Sequence, residues 1–182
     1  QNIRFFATAI LHSKSESFAV DQIGLSYTLR RARGVCGLIS PWNLPLYLLT
    51  WKVGPALAYG NTVVAKPSEL TPRTAHHLAE LCVEAGLPPG VLNLVQGYGR
   101  EAGAALVAHP RVGTISFTGG TTTGREIARV AAPMFKKLSL ELGGKTASYD
   151  ALEAALGFDT EAVYFLTDGA PTAGKIVSPP QI

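Results

Sequence analysis

Five short runs rich in apolar and β-branched residues punctuate the chain, at positions 35–40, 62–66, 91–95, 114–117 and 137–142. Their length and content predict strands of a parallel sheet covered on both faces. Between them lie segments with apolar residues at helical spacing. One covers 50–59 and stops at Gly60. A second covers 71–85, with Thr71 as cap, Pro72 at the first helical position and Gly86 as the stop. Two more cover 100–108 and 122–132. Strand and helix alternating through short connections predict an α/β fold, a doubly wound parallel sheet with right-handed crossovers. Ahead of this alternation, 3–11 reads as a helix and 18–31 as an extended or hairpin segment. After Lys145 the pattern changes. Residues 148–156 read as an amphipathic helix and 162–166 as a strand entering the turn Thr167-Asp168-Gly169, while 170–182 is rich in Pro and Gly without periodicity.

With 182 residues, 47% of them hydrophobic and 16% charged, the chain suits one globular domain and not a disordered segment. A net charge of +3 is small, and the one basic cluster, Arg30, Arg31 and Arg33, has no interleaved aromatics. It reads as a solvated connector, so no nucleic-acid partner is expected. The most apolar stretch, 35–59, is broken by Pro41, Pro45 and Pro55 and holds Asn43 and Lys52, which is not how a membrane span is written. The two cysteines, Cys36 and Cys82, show no metal-ligand spacing. Free thiols in a reducing, cytoplasmic compartment are the expectation.

Chemistry-bearing residues gather where the predicted strands end. After the first strand comes Ile39-Ser40-Pro41-Trp42-Asn43-Leu44-Pro45, a stiff loop with one amide side chain. Asn43 either donates to a developing oxyanion or caps the next helix. At the end of the second strand, Lys66 and Glu69 in Lys-Pro-Ser-Glu either grip ribose hydroxyls or form a surface ion pair. Two glycine-bearing turns follow later strands, Gly97-x-Gly99-x-x-x-Gly103 and Phe117-Thr118-Gly119-Gly120. Each can aim backbone N–H groups at a diphosphate, although the first is one residue longer than the dinucleotide fingerprint. Glu141, in Leu-Glu-Leu-Gly-Gly-Lys, is either a general base with its pKa raised by apolar neighbours or a solvated carboxylate.

Taken in order, Pro-Trp-Asn-Leu-Pro, Lys-Pro-Ser-Glu, Ser-Phe-Thr-Gly and Leu-Glu-Leu-Gly-Gly-Lys resemble the signatures of the aldehyde dehydrogenase superfamily over residues 1–145. The strings at 37–47 and 136–141 look most like its 2-aminomuconic semialdehyde dehydrogenase branch. The resemblance implies a truncated, Rossmann-like cofactor-binding domain, NAD as cofactor and an aldehyde as substrate. It implies that Asn43 holds the oxyanion and that Glu141 activates the deacylating water. Lys66 and Glu69 would bind the adenosine ribose, and Glu69 would repel the 2′-phosphate of NADP. Ile39, Ser40 and Trp42 would line the groove, Gly99 and Gly103 would pass the adenine half, Thr118 and Gly119 the diphosphate and nicotinamide side, and Leu142 would pack near the nicotinamide.

The chain also departs from the pattern. Gly120 stands where the family carries Ser, and no cysteine follows Cys82, whereas the family's nucleophile lies beyond the Glu141 motif. Cys36 and Cys82 read as packed thiols, so catalysis by this chain alone is not expected. Residues 146–182 read as an unrelated tail, similar in part to a von Willebrand factor A domain. Thr146 and Asp168 would there face a cation, but the remaining ligands of such a site are missing and no metal is expected. The junction at Lys145-Thr146 suggests a chimera. The other readings are a non-catalytic interaction module, pairing with a full-length relative, and a splice product without enzymatic activity.

Overall fold

The computed structural model describes residues 1–143. The predicted tail elements at 148–156 and 162–166, and the pair Thr146 and Asp168, lie outside them. Helix α1 (Asn2–Ala9) ends in a 3-10 turn, and the hairpin β1 (Ser17–Val20) and β2 (Gly24–Tyr27) follows. The alternating part runs β3 (Val35–Ile39), α2 (Pro45–Ala58), β4 (Thr62–Lys66), α3 (Arg73–Glu84), β5 (Leu92–Leu94), α4 (Ala104–Ala108), β6 (Val112–Gly119), α5 (Thr121–Ala131) and β7 (Lys137–Leu142).

The five later strands form one parallel sheet in the order β5-β4-β3-β6-β7. The chain steps outward from β3 to β5, returns to the other side of β3 with β6, and continues to β7. The direction of winding therefore reverses between β3 and β6. In open α/β sheets, ligands sit outside the carboxyl ends of the strands at such a switch point.

Two apolar layers sandwich the sheet. Cys36, Leu38, Val63 and Ala65 face Leu49 and Val53 of α2 and Ala75 and Leu78 of α3. On the opposite side Val112, Ile115 and Phe117 face Leu106 and Val107 of α4 and Ile127 and Ala131 of α5. Leu38, Leu49, Val53, Val63 and Ile115 are at most 2% exposed. Burying each contributes about 1.5–3 kcal/mol, so β3, β4 and β6 make a stiff platform for whatever their ends carry. Gly37 lets α4 come close: a Cβ there would lie 2.8 Å from Ile115 Cδ1 and 3.1 Å from Leu106 Cγ. The carbonyls of Val107 and His109, at the end of α4, accept from the buried ammonium of Lys136.

All five predicted strands form, and the segment at 18–31 is a hairpin around β1 and β2. Several details differ. Helix α2 starts at Pro45, five residues before the expected 50. Pro45 sits in the first turn, where its missing N–H costs nothing, and the continuous apolar run at 44–49 hides the helical period. Helix α3 starts at Arg73 with Pro72 as its cap residue and no side-chain capping bond, so Thr71 is not the cap. Its hydroxyl is buried without a partner. The stops at Gly60 and Gly86 hold. Both glycines have positive φ, and the N–H of the residue after each reaches back to Ala56 and Cys82 respectively, which satisfies the terminal carbonyls.

Strand β7 is not covered on both faces as its composition suggested. Its burial alternates, with Leu138 and Leu140 packed against the α4–α5 layer and Lys137, Glu141 and Leu142 exposed. Lys137, Ser139 and Glu141, on the other side of the strand, are exposed.

Candidate functional site

The predicted site residues fall into two groups at the carboxyl ends of the strands, one on each side of the switch point. The first belongs to β3, β4 and the turn before α4. The Ser40 N–H donates to the Lys66 carbonyl at 3.2 Å, which locks the loop after β3 to the end of β4. Lys66 is only 2% exposed, and its ammonium donates to the Pro67 carbonyl at 2.8 Å and stands 3.7 Å from Glu69. The ion pair between them forms, with its lysine buried and its carboxylate open to solvent. Gly103 lies against the Lys66 stem, where an added Cβ would sit 3.6 Å from Cδ. Gly99 begins a π-helical turn, Gly99–Gly103, that runs into α4, and has open space beside its Cα. Ser40 is 3% exposed and its hydroxyl has no partner. Ile39 is half-buried, while Trp42 is 61% exposed on the loop.

Asn43 is exposed on the same loop. Leu44, not Asn43, is the cap residue of α2, and no side chain makes a capping bond there. The helix-cap alternative for Asn43 is thereby removed, and its amide is free to meet a ligand.

The second group joins β6, β7 and α2. Thr118 and Glu141 are register partners on adjacent strands, and the Thr118 hydroxyl donates to Glu141 Oε2 at 2.7 Å. The Lys52 ammonium, 3% exposed, lies 4.0 Å from the same oxygen and donates to Ser116 Oγ at 3.0 Å. Burial pushes the Lys52 pKa down, and the Glu141 carboxylate opposes that push. The apolar neighbours expected for Glu141 are not there. Period-two alternation sends Leu140 to the α4–α5 layer, and the carboxylate meets a hydroxyl and an ammonium instead. Leu142 packs onto α5, since a Cβ on Gly124 would fall 2.3 Å from Leu142 Cδ2. Gly119 turns the chain into α5, whose cap residue is Gly120. The first helical bond is Gly124 N–H to the Gly120 carbonyl, so the N–H groups between them have no intrahelical acceptor.

Lys52 and Ser116 are the residues the motif reading missed. A lysine between Leu49 and Val53, at helical spacing in an apolar run, was a legible signal of a buried charge needing a partner. Ser116 opens the Ser-Phe-Thr-Gly string, but nothing in the linear pattern gave it a role of its own.

Neither thiol is positioned as a nucleophile. Cys36 is buried near the start of β3, three residues and therefore about 10 Å before the strand end that leads to Asn43. Cys82 packs from α3 against the α2–α3 layer. Burial raises both thiol pKa values, which disfavours the thiolate. Among the described residues no group of three His, Cys, Asp or Glu side chains could hold a metal, and no helix is long and apolar enough to cross a membrane.

A parallel sheet with its winding reversed between β3 and β6, and polar groups gathered at that switch point, defines the Rossmann-like class of cofactor-binding domain. Within that class, the chain belongs to the aldehyde dehydrogenase family, whose model matches residues 1–155 and so passes the Lys145-Thr146 junction. It is 61% identical over 145 residues to the 2-aminomuconic semialdehyde dehydrogenase of Danio rerio, covering 79% of this chain and 30% of the relative. It is 54% identical over 145 residues to the 5-carboxymethyl-2-hydroxymuconate semialdehyde dehydrogenase of Escherichia coli, covering 80% and 31%. Among solved structures, the NAD+ complex of an aldehyde dehydrogenase from Bacillus cereus superposes with a TM-score of 0.77 at 45% identity, over 79% of this chain and 29% of that one. The chain spans about 30% of the length of the curated relatives it matches.

Proposed function

We propose that this chain carries the NAD-binding half-site, the oxyanion donor and the general base of a semialdehyde dehydrogenase of the 2-aminomuconic type, and that it does not turn over by itself. The observation that carries the reading is the pairing of two polar groups across the switch point, Ser40, Lys66, Glu69 and Gly103 on one side and Thr118, Gly119 and Glu141 on the other. The residues fit the cofactor. The Ser40 hydroxyl is buried and unpartnered, and Gly99 and Gly103 leave room where a Cβ would narrow the approach. Bound NAD would supply the hydride acceptor. Lys66 and Glu69 would hold its adenosine ribose, with Ile39, Ser40 and Trp42 along the groove. Thr118, Gly119 and the free N–H groups at the start of α5 would serve the diphosphate and nicotinamide half, with Leu142 beside it. The Gly120 N–H serves where the family uses a serine. Asn43 donates to the oxyanion, and Glu141, held by Thr118, takes the proton of the deacylating water. Turnover needs a thiolate facing Asn43, and Cys36 and Cys82 are both packed away from that amide.

Calorimetry with NAD tests the reading. Heat of binding is expected, and Glu69→Gln should weaken it roughly tenfold, the worth of a hydrogen bond to a charged acceptor. No heat at millimolar NAD would remove the proposal. A second reading, a non-catalytic module that pairs with a full-length relative, draws on the β1–β2 hairpin, where Phe18, Leu25 and Tyr27 are 59%, 66% and 65% exposed. Co-purification with such a relative tests it. The cytoplasmic location, supported by two cysteines without pairing or metal spacing, and the reading of 146–182 as a tail resembling part of a von Willebrand factor A domain, joined as a chimera, belong to the same proposal.

A further inference from the structure

Strand β6 presents hydroxyls at every second position on the face that looks toward α2: Ser116 and then Thr118. Residues two apart in a strand stand about 6.6 Å apart on one face. Ser116 receives the Lys52 ammonium at 3.0 Å, and Thr118 donates to the Glu141 carboxylate at 2.7 Å. The two charges therefore meet over a single strand that grips each of them separately. The ammonium–carboxylate distance of 4.0 Å is beyond hydrogen-bond range, so Glu141 does not itself fix the lysine. A lysine stem has four rotatable bonds, and the one directional contact at its tip is Ser116 Oγ.

We propose that Ser116 is a positioning residue: its hydroxyl anchors the Lys52 ammonium beside Glu141 and so fixes the charge that the general base faces. The inference rests on the reading of Glu141 as that base. Ser116 touches neither substrate nor cofactor in this account and acts through Lys52. The other titratable groups lining the same groove are Arg33, Cys36, Tyr59 and Lys137. The Glu141 carboxylate is the charge that acts on Lys52 against its burial, and Ser116 Oγ is the acceptor in contact with the ammonium.

The test is a pH titration of Lys52 in the full chain, followed by NMR through its 13Cε resonance, assigned with Lys52→Arg. Ser116→Ala removes the acceptor and is expected to move the Lys52 midpoint to lower pH by about one unit. Ser139→Ala, which deletes the hydroxyl of the register partner on β7, is expected to leave it in place. Ser116→Thr and Ser116→Val have the same shape and differ in the hydroxyl. Thr should keep the native midpoint and Val should lower it, and this pair decides the matter if Ser116→Ala does not fold. An unchanged midpoint in Ser116→Ala or Ser116→Val, or an equal shift in Ser139→Ala, overturns the proposal. NAD calorimetry on the same samples separates the two readings. A shifted midpoint without NAD binding removes the cofactor assignment and keeps Ser116, whereas NAD binding with an unmoved midpoint does the reverse.

Discussion

Replacing Gly37 by alanine probes how closely α4 must approach the sheet for the first group of site residues to form. The new methyl would lie 2.8 Å from Ile115 Cδ1, 3.1 Å from Leu106 Cγ and 3.2 Å from Val112 Cγ1. All three neighbours are buried, at 0%, 7% and 3% exposure, so none can swing into solvent. Ordinary carbon contacts begin near 3.5 Å, so α4 must move outward by roughly half an ångström or Ile115 must leave its rotamer. Overpacking of this kind costs about 1–3 kcal/mol, and the lower entropy of the unfolded alanine chain returns about 0.4–1 kcal/mol. The net expectation is a loss of about 1–2 kcal/mol, or roughly 3–6 °C in Tm for a chain of this size. The π-helical turn bearing Gly103 leads directly into α4, so its contact with Lys66 loosens too and NAD affinity should fall with stability. Urea denaturation with an unchanged slope, alongside calorimetry, reads both effects. Gly99→Ala, which faces open space, is the control and should stay within about 0.5 kcal/mol of the native chain. A Gly37→Ala chain as stable as the native one would refute the claim that close packing of α4 on β3 and β6 sets this half of the site.

The remaining expectations concern single side chains. Asn43→Ala should leave stability within about 0.5 kcal/mol, because Asn43 is exposed and caps nothing; a clear drop in urea midpoint would restore its role as a helix cap. Lys52→Met should change how stability depends on pH. The folded-state pKa of Lys52 lies below its ordinary value of 10.5, so between the two the unfolded chain holds a proton that the folded chain has released. Native stability relative to the variant therefore rises as pH climbs through that window and is flat below it. Parallel stability–pH curves for the two chains would contradict the burial of a charge at this position. No NADH formation with a small aldehyde is expected from the chain, and turnover that survives Cys36→Ala combined with Cys82→Ala would mean that another nucleophile exists.

Much of the architecture was legible because the signals were local. Apolar runs at 35–40 and 62–66 become β3 and β4 because a parallel strand buried on both faces needs no alternation to declare itself, while 91–95 yields only the short edge strand β5, with Asn93 exposed. Gly60 and Gly86 ended α2 and α3 as predicted because a left-handed backbone position after a helix favours glycine. The strand-end motifs could be placed at one edge of the sheet from chain order alone, since parallel strands all finish on the same side. What the linear pattern could not decide was which strands become neighbours and what lies across from each side chain. The return of β6 to the far side of β3 creates the switch point, and only that pairing sets Lys52 of α2 above Ser116 and within 4.0 Å of Glu141. The polar surroundings of Glu141, the burial of Lys66 and the freedom of Asn43 from any capping bond are likewise properties of contacts between segments distant in sequence. Periodicity reports which face a residue takes; the charge that meets it there depends on how the layers pack.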